Sequence, residues 1–580
     1  RRQRQMCIRD RKWIANVRFI VERKIRMEKK KQYEAIYAGY VFEKPVNHWT
    51  SQEEVKHRLT EVDLTKPGTI KAGGMPIISD GRRAYIDAGD SHTAVIACSG
   101  MKKSICGFMP LEIILARAGE NMVLTDPKGE LFHRTSGFLK SLGYKVLCLD
   151  FRTMDKDCFN ILSYAASTYR TEDKDKGLSL LSDIVNVLAE KQRRFAKDPF
   201  WPDTGAMWLN GTGAVMLDGF PRIGQVNVMN WTDFNVRSSA DMINGELLPL
   251  MPDNMAKSAL KQCLSSADNT FRSILITASS FLSPFNQNPK LAEMLSYSTF
   301  TLEDLVKPKT VLFLVTDDTT STADMILGII ISQIQSFLVS RAYHQKDGKL
   351  ETRVNFVLDE FASLPIPNMD KALATHRSRN IRYYLCIQSL ALLKERYENP
   401  EKLLANCEST LFLGSCELEL LSELETKLGT THITPDGSEK PLCSQAELMT
   451  LEKTWDYKEA IYMNLSKGIR YCTMLPSIEH YEIGDDPVTS CVRRHRSIAT
   501  YTVKQFITDI INKRIRAPFA SGKNSGKLVP ADETMVISNS KRDRYARRQR
   551  AYVENDVSAE MVADELKKQF EELFGTCEDD

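Results

Sequence analysis

Residues 92–150 read HTAVIACSGMKKSICGFMPLEIILARAGENMVLTDPKGELFHRTSGFLKSLGYKVLCLD. Apolar runs at 93–98, 122–125 and 145–149 are short and rich in Val, Leu and Ile, as strands of a buried sheet are. Helix-patterned segments join them. Strand, helix, strand, helix, strand is the βαβαβ opening of a parallel α/β sheet, whose ligands gather at the carboxyl ends of the strands.

The loop after the first strand carries Lys103-Ser104. In the P-loop pattern G-x-x-x-x-G-K-[ST], the lysine at this place reaches the β/γ-phosphates and the hydroxyl holds Mg²⁺. Positions 97 and 102 are Ala and Lys here, where the pattern has Gly. Glycine is favoured because the backbone must turn tightly and offer its N–H groups without a Cβ in the way. Ala97 is a small departure. Lys102 is a larger one, although its positive charge suits an anion site. Taken alone, the loop 99–104 (Ser99, Gly100, Met101, Lys102, Lys103, Ser104) fits a phosphate cradle or a basic turn that opens an ordinary helix.

A second motif lies far downstream. Residues 354–358 (VNFVL) form an apolar strand that runs straight into Asp359-Glu360. An Asp there serves Mg²⁺, and the following Glu polarises an attacking water. By itself, such a pair also caps helices. The combination is more telling: Lys103-Ser104, Asp359-Glu360 and Gln388, at the end of strand 383–387, all fall on one edge of one sheet. Further strands are expected at 310–316 and 410–413, with a closing pair at 460–464 and 471–474. Near-continuous apolar strands of this kind belong to a sheet covered on both faces. Asp126, with Lys128 close by, ends the second strand, either facing a nucleotide or forming a turn and helix cap. His92 and His376 read as structural.

With 580 residues the chain has room for two or three domains, and 42% apolar with 26% charged residues is the ordinary balance of a soluble globular protein. The net charge of +3 is too small to define a partner. Its distribution is uneven, with basic blocks at 1–31 and 541–550, and blocks like these are more often solvated tails than nucleic-acid contacts. The thirteen cysteines form no C-x-x-C pair or zinc-spaced cluster, which points to a reducing cytoplasm. Cys98, Cys148 and Cys386 read as small hydrophobes in buried strands. No run approaches the roughly 18 consecutive apolar residues of a membrane span. The longest candidate, 325–339, is interrupted by Ser332, Gln333, Gln335 and Ser336 and reads as a packed helix.

The expected order is as follows. Residues 1–40 are a basic N-terminal helix or remnant. A nucleotide-binding domain comes in two parts, 41–154 and 306–483. Between them lies an inserted all-α domain, 155–305. A charged extension, 484–580, includes a Gly/Ser/Lys stretch at 518–528 that reads as disordered. The insertion has helical patterning at 178–195, 239–251 and 254–282. Phe200, Trp201, Trp208 and Trp231 are placed in a loop between its helices, the tryptophans as core anchors.

The segments HTAVIACSGMKKS, VLTDPKGELFHRTSGFLKSLGYKVLCLDF, FNILSY, VNFVLDEFASLPIPNMDKALATHRSRNIRYYLCIQSLALLKERY and ANCESTLFLGS together resemble the coupling proteins of type IV secretion systems, the TraG/TraD-like conjugative DNA-transfer ATPases. The resemblance spans roughly residues 70–482 in the family's order. It implies an α/β, RecA-like P-loop NTPase domain with a mostly parallel sheet, interrupted by an inserted all-α domain. It implies a homo-hexamer around a DNA channel, ATP and Mg²⁺ as cofactors, and a place at the cytoplasmic face of the bacterial cell membrane. The implied partners are a relaxase complex with single-stranded DNA and the channel proteins of the secretion system. Carried over by position, Lys103 and Ser104 bind phosphate and Mg²⁺, Asp359 binds metal, Glu360 is the catalytic acid and Gln388 senses the γ-phosphate. Arg377 or Arg379 faces a neighbouring subunit's nucleotide or the DNA. The sequence departs from the family at the loop glycines and in having no N-terminal membrane helices, through truncation or as a soluble branch. Two rival readings follow: a non-hydrolysing adaptor that docks DNA or relaxase, and a chromosome-segregation type of DNA translocase.

Overall fold

The computed structural model describes residues 47–66, 68–251, 254–316, 321–433, 439–483, 498–512 and 514–515. The expected basic N-terminal helix, the 518–528 stretch and the basic block 541–550 lie outside the described residues. Three strands, β1 (Thr60–Asp63), β2 (Met75–Ser79) and β3 (Arg83–Asp87), form a small antiparallel sheet in the order β1-β3-β2.

The main sheet has nine strands. In chain order these are β4 (Thr93–Ala97), β5 (Asn121–Asp126), β6 (Lys145–Asp150), β7 (Thr310–Val315), β8 (Val354–Leu358), β9 (Ile381–Ile387) and β10 (Ser409–Gly414). After a short hairpin, β11 (Thr430–Ile433) with β12 (Glu439–Pro441), come β13 (Tyr457–Asn464) and β14 (Ile469–Pro476). The spatial order is β14-β13-β10-β4-β9-β8-β5-β7-β6. Strands β4 to β10 are mutually parallel, and β13 and β14 add an antiparallel edge.

This order differs from a simple βαβαβ opening. β4 and β5 are not neighbours, because β9 and β8, from the far half of the chain, lie between them. Alternate side chains explain why each strand reads as continuously apolar. Ile96, Val123, Leu312, Phe356 and Leu385 face a core shared with the helical insertion. Val95, Leu124, Phe313, Val357 and Cys386 face the helix Met109–Arg117 and the small sheet. Both faces are covered, as parallel sheets require.

The interleaving is pinned at the amino edge by a buried polar network. The Arg382 guanidinium, 1% exposed, donates to Asn355 Oδ1 (2.9 Å), Gly89 O (2.7 Å), Gly73 O (3.0 Å) and Glu120 Oε2 (3.1 Å). Asn355 also donates to Glu120 Oε2 at 2.8 Å, and the Gly73 N–H donates to Glu120 Oε1 at 2.9 Å. Arg382 and Asn355 come from the second half of the sheet, Glu120 and the glycines from the first.

The helical insertion includes Ser163–Thr171, Lys174–Phe195, Phe200–Gly219, Val228–Arg237, Met255–Leu264 and Asp268–Phe281. The segment expected as a tryptophan-bearing loop is helical, and its glycines fit within the helix. They are contact points rather than breaks: a Cβ on Gly211 would meet Leu260 Cδ2 at 2.8 Å, and one on Gly213 would meet Leu181 at 2.9 Å. Trp208 and Trp231 are core anchors, donating to Asn235 Oδ1 (2.8 Å) and Thr212 Oγ1 (3.1 Å). Trp201 is exposed instead, beside the exposed Phe200. The expected helix at 254–282 is two helices, divided at 265–267. Helix Ser321–Tyr343 is long and apolar enough to cross a membrane by composition, yet it packs inside the fold through Ile326, Ile330, Ile334 and Leu338. Within the segment expected as a charged extension, Val503–Ile511 forms a helix, and Tyr501 and Phe506 pack on Phe220 of the insertion.

Removing one partner of a buried ion pair strands the other charge, at a cost of about 3–5 kcal/mol. Arg382→Met is therefore expected to lower the urea midpoint by that much stability. Phe195→Ser, at a largely exposed position, should stay within about 0.5 kcal/mol of the parent.

Candidate functional site

Because β4 to β10 run in one direction, their carboxyl ends meet at one edge, where backbone turns leave side chains and helix N-termini facing outward. The centre of that edge is built by β4, β9 and β8. After β4, Cys98 N–H donates to Gly414 O at 3.0 Å and Met101 N–H to Cys98 O at 3.3 Å, closing a tight turn. Gly100 has φ +78° and Lys102 has φ 60°, ψ 26°, both left-handed. For a lysine that conformation costs about 1–2 kcal/mol, which is the physical reason the pattern prefers glycine there. Lys102 Nζ donates to Trp455 O at 2.9 Å, and Lys453 Nζ donates to Gly100 O at 3.3 Å. Two lysines thus tie the loop to the turn before β13. The Lys102 ammonium, expected as extra charge for an anion, is held by that carbonyl. Cys98 is correspondingly at the edge and half-buried, whereas Cys148 and Cys386 are fully buried as expected.

A helical turn of π type begins at Lys103 (Lys103–Phe108) and continues as Met109–Arg117. The first N–H groups of a helix have no acceptor within it, so those of Lys103, Ser104 and Ile105 are placed to receive an anion. Ser99 and Gly100 are exposed, while Met101 packs over Gly414.

Lys103 Nζ lies 2.6 Å from Asp359 Oδ1 and 4.0 Å from Glu360 Oε1. Burial opposes its charge, but the neighbouring Cys386 sulfur together with the carboxylates Asp359 and Glu360 outweighs that and holds its pKa above that of a free lysine. Asp359 is fixed from both sides, its carbonyl by Thr125 Oγ1 (2.9 Å) and its carboxylate by the Glu360 N–H (2.8 Å). Glu360 itself has φ 54°. That left-handed step, costing about 1–3 kcal/mol, follows the strand end directly. Gln388 Nε2 donates to Glu360 Oε1 at 3.2 Å. The structure therefore brings Lys103, Asp359, Glu360 and Gln388 into one connected cluster, with Ser104 in the adjoining helical turn.

Two acids join it. Asp126 ends β5, and its Oδ2 accepts the Phe132 N–H at 2.8 Å, so it caps the helix Glu130–Ser141. Burial first, with the nearby Asp359 charge adding to it, raises its pKa to about 6. Asp324, on helix Ser321–Tyr343, is also raised to about 6, by burial and then by Glu360. The sequence flagged Asp126 through its place at a strand end. It gave no sign of Asp324, whose helix reads only as apolar.

Among the described residues no group of three or more His, Cys, Asp or Glu side chains is arranged to hold a metal ion. This donor set suits Mg²⁺ shared with phosphates, since that ion is typically held by one or two carboxylates plus substrate oxygens. One ammonium, one hydroxyl, open helix N–H groups and the Asp359 carboxylate are the residues that fit such a nucleotide complex.

Arg377 and Arg379 are not brought into this cluster. They sit in the turn His376–Arg379 that precedes β9, at the amino edge, a seven-residue strand away from Gln388. Arg377 pairs with Glu408 (3.2 Å) and lies 3.8 Å from Asp90. His92 and His376 are buried at the same edge; Tyr383 N–H donates to His92 Nδ1 at 3.2 Å, and His376 Nδ1 lies 2.7 Å from the Tyr383 hydroxyl. Burial lowers the pKa of both to about 4, so they are neutral structural groups.

A family model described as type IV secretory system conjugative DNA transfer matches residues 46–464. No curated protein matches the sequence. Among solved structures, the plasmid coupling protein TrwB in complex with the ATP analogue ADPNP is similar at TM-score 0.55 and 16% identity, covering 79% of this chain and 99% of that one. TrwB with ADP and Mg²⁺ gives TM-score 0.53 and 16% identity, over 80% and 100% of the two chains. The bacterial conjugative coupling protein TrwBdeltaN70 with sulphate gives 0.54 and 16%, over 77% and 97%. The common fold is a RecA-like NTPase core with a large all-α insertion.

The raised pKa of Asp126 has a defined consequence. The unfolded carboxyl ionises near pH 3.9 and the folded one near 6, so the folded state binds the extra proton between them. Stability from this group is present at low pH and is lost as pH rises through that window. Asp126→Asn keeps an oxygen for the Phe132 N–H and removes the charge. It should raise Tm relative to the parent at pH 8, with the gain shrinking at pH 5; thermal melts at the two values check this.

Proposed function

The chain belongs to the type IV secretory system conjugative DNA transfer family, and from that premise we propose that it is a coupling ATPase. In this reading it recruits relaxase-bound single-stranded DNA and drives or gates its transfer at the cytoplasmic face of the bacterial cell membrane. The observation that carries the proposal is the Lys103–Asp359–Glu360–Gln388 cluster at the carboxyl edge of the sheet. The motor is assigned to 41–154 and 306–483, the insertion to 155–305.

Each residue has a role that its placement supports. Lys103 changes partner from Asp359 to phosphate, and the N–H groups of the loop 99–104 take further phosphate oxygens. Ser104 and Asp359 would hold Mg²⁺, which would supply charge neutralisation to the phosphates. Glu360, held by Gln388, orients and polarises the attacking water. Gln388 couples that carboxylate to the neighbouring strand end. Arg377 and Arg379, on the opposite edge, are assigned to a neighbouring subunit's nucleotide or to DNA in a homo-hexamer, where their planar forks match phosphate. Contact with the secretion-channel proteins at the membrane completes this reading.

The left-handed Lys102, bound to the Trp455 carbonyl, favours a second reading, a non-hydrolysing adaptor. Turnover separates the two. Mg²⁺-dependent ATP hydrolysis by the chain is expected to rise with single-stranded DNA. Lys103→Ala and Glu360→Gln should each lower it by at least about a hundredfold, the scale of losing a general base or a key electrostatic group. No stimulated turnover in a folded, DNA-binding sample would instead select the adaptor.

A further inference from the structure

The cluster has a direction. Asp359, Glu360 and Gln388 all lie on the β9/β8 side of the phosphate loop, so a triphosphate in that loop points its terminal group to that side. The nucleoside end must then leave toward the other flank, over β10 and β13. What occupies that flank is the turn 452–456, because β13 is antiparallel to β10 and begins at the carboxyl edge. The turn is fastened to the loop at two points, by Lys102 Nζ on Trp455 O and by Lys453 Nζ on Gly100 O. Trp455 itself is 68% exposed, an unusual position for the largest apolar side chain. Leu418, at the start of the helix after β10, is 64% exposed on the same edge.

We infer that Trp455 is the stacking platform for the purine base of the nucleotide, with Lys102 and Lys453 setting its distance from the phosphate loop. This rests on the nucleotide-site reading above. It also gives the substitution of Lys102 for glycine a purpose. The strained lysine draws the tryptophan turn onto the loop, so the phosphate and base subsites are held together by this chain's own residues. Stacking uses the π-face that every base presents and no hydrogen-bond code. The platform should therefore accept adenine and guanine nearly alike.

Calorimetric titration of the full chain with Mg²⁺–ATP, Mg²⁺–GTP and Mg²⁺–tripolyphosphate tests the inference. Trp455→Ala is expected to weaken both nucleotides by about tenfold, the scale of one lost base–aromatic stack. Tripolyphosphate, which has no base, should bind within about twofold of the parent, and Trp455→Phe should recover most of the nucleotide affinity. ATP bound equally well by Trp455→Ala would overturn the platform while leaving the phosphate site intact. Equal losses for ATP and tripolyphosphate would also overturn it, by making Trp455 a mere support of the loop. A parent chain that binds none of the three probes would overturn the nucleotide-site reading and this one together.

Discussion

Everything at the carboxyl edge depends on a constraint at the other end of the strands. The sheet is assembled from two sequence-distant halves, with β9 and β8 inserted between β4 and β5. A slip of one residue in a parallel strand would exchange its two faces, and both faces here are apolar, so hydrophobicity alone discriminates poorly between registers. The buried Arg382 network discriminates well. Its guanidinium meets Glu120, Asn355 and two carbonyls only when β9, β8 and β5 are in register. A buried charge left unpaired is costly, and that cost makes the register specific. The same register aligns Asp359 with Lys103.

At the functional edge the chemistry is one of unequal charges. Half-buried Lys103 faces Asp359 and Glu360, while burial first, and then Asp359 and Glu360 respectively, raise Asp126 and Asp324 to about 6 against the opposing charges of Arg152 and Arg396. Lys103 alone meets the paired carboxylates of Asp359 and Glu360. A divalent cation with its phosphates fits this imbalance, since the cation takes up carboxylate charge and the lysine and helix N–H groups take up phosphate charge. Lys102 and Glu360, two of the six positive-φ non-glycine residues among those described, both sit at the strand ends that carry the cluster.

Much of this could be read in the sequence. Strands 354–358 and 310–315 show because parallel strands buried on both faces are unbroken apolar runs, and Lys103, Asp359, Glu360 and Gln388 show because each follows such a run directly. The sheet order was not legible, since no local pattern records that β9 and β8 pass between β4 and β5. The helix Phe200–Gly219 shows no clear apolar stripe, since it is buried on most sides, with Gly211 and Gly213 admitting Leu260 and Leu181. The role of Lys102 was hidden for a different reason. Its partner, the Trp455 carbonyl, is backbone, so residue identity carries no trace of the contact. Arg377 and Arg379 were recognisable as anion-binding residues, but only the fold places them on the edge opposite Lys103.

The central claim is that Lys103 and Asp359, in contact at 2.6 Å, exchange each other for a Mg²⁺ nucleotide. The most direct measurement is a structure of the chain determined with Mg²⁺ and a non-hydrolysable ATP analogue. The account predicts Lys103 Nζ on phosphate oxygens, Asp359 and Ser104 turned to the metal, and Glu360 still held by Gln388. Nucleotide bound elsewhere, with the Lys103–Asp359 pair unbroken, would contradict it.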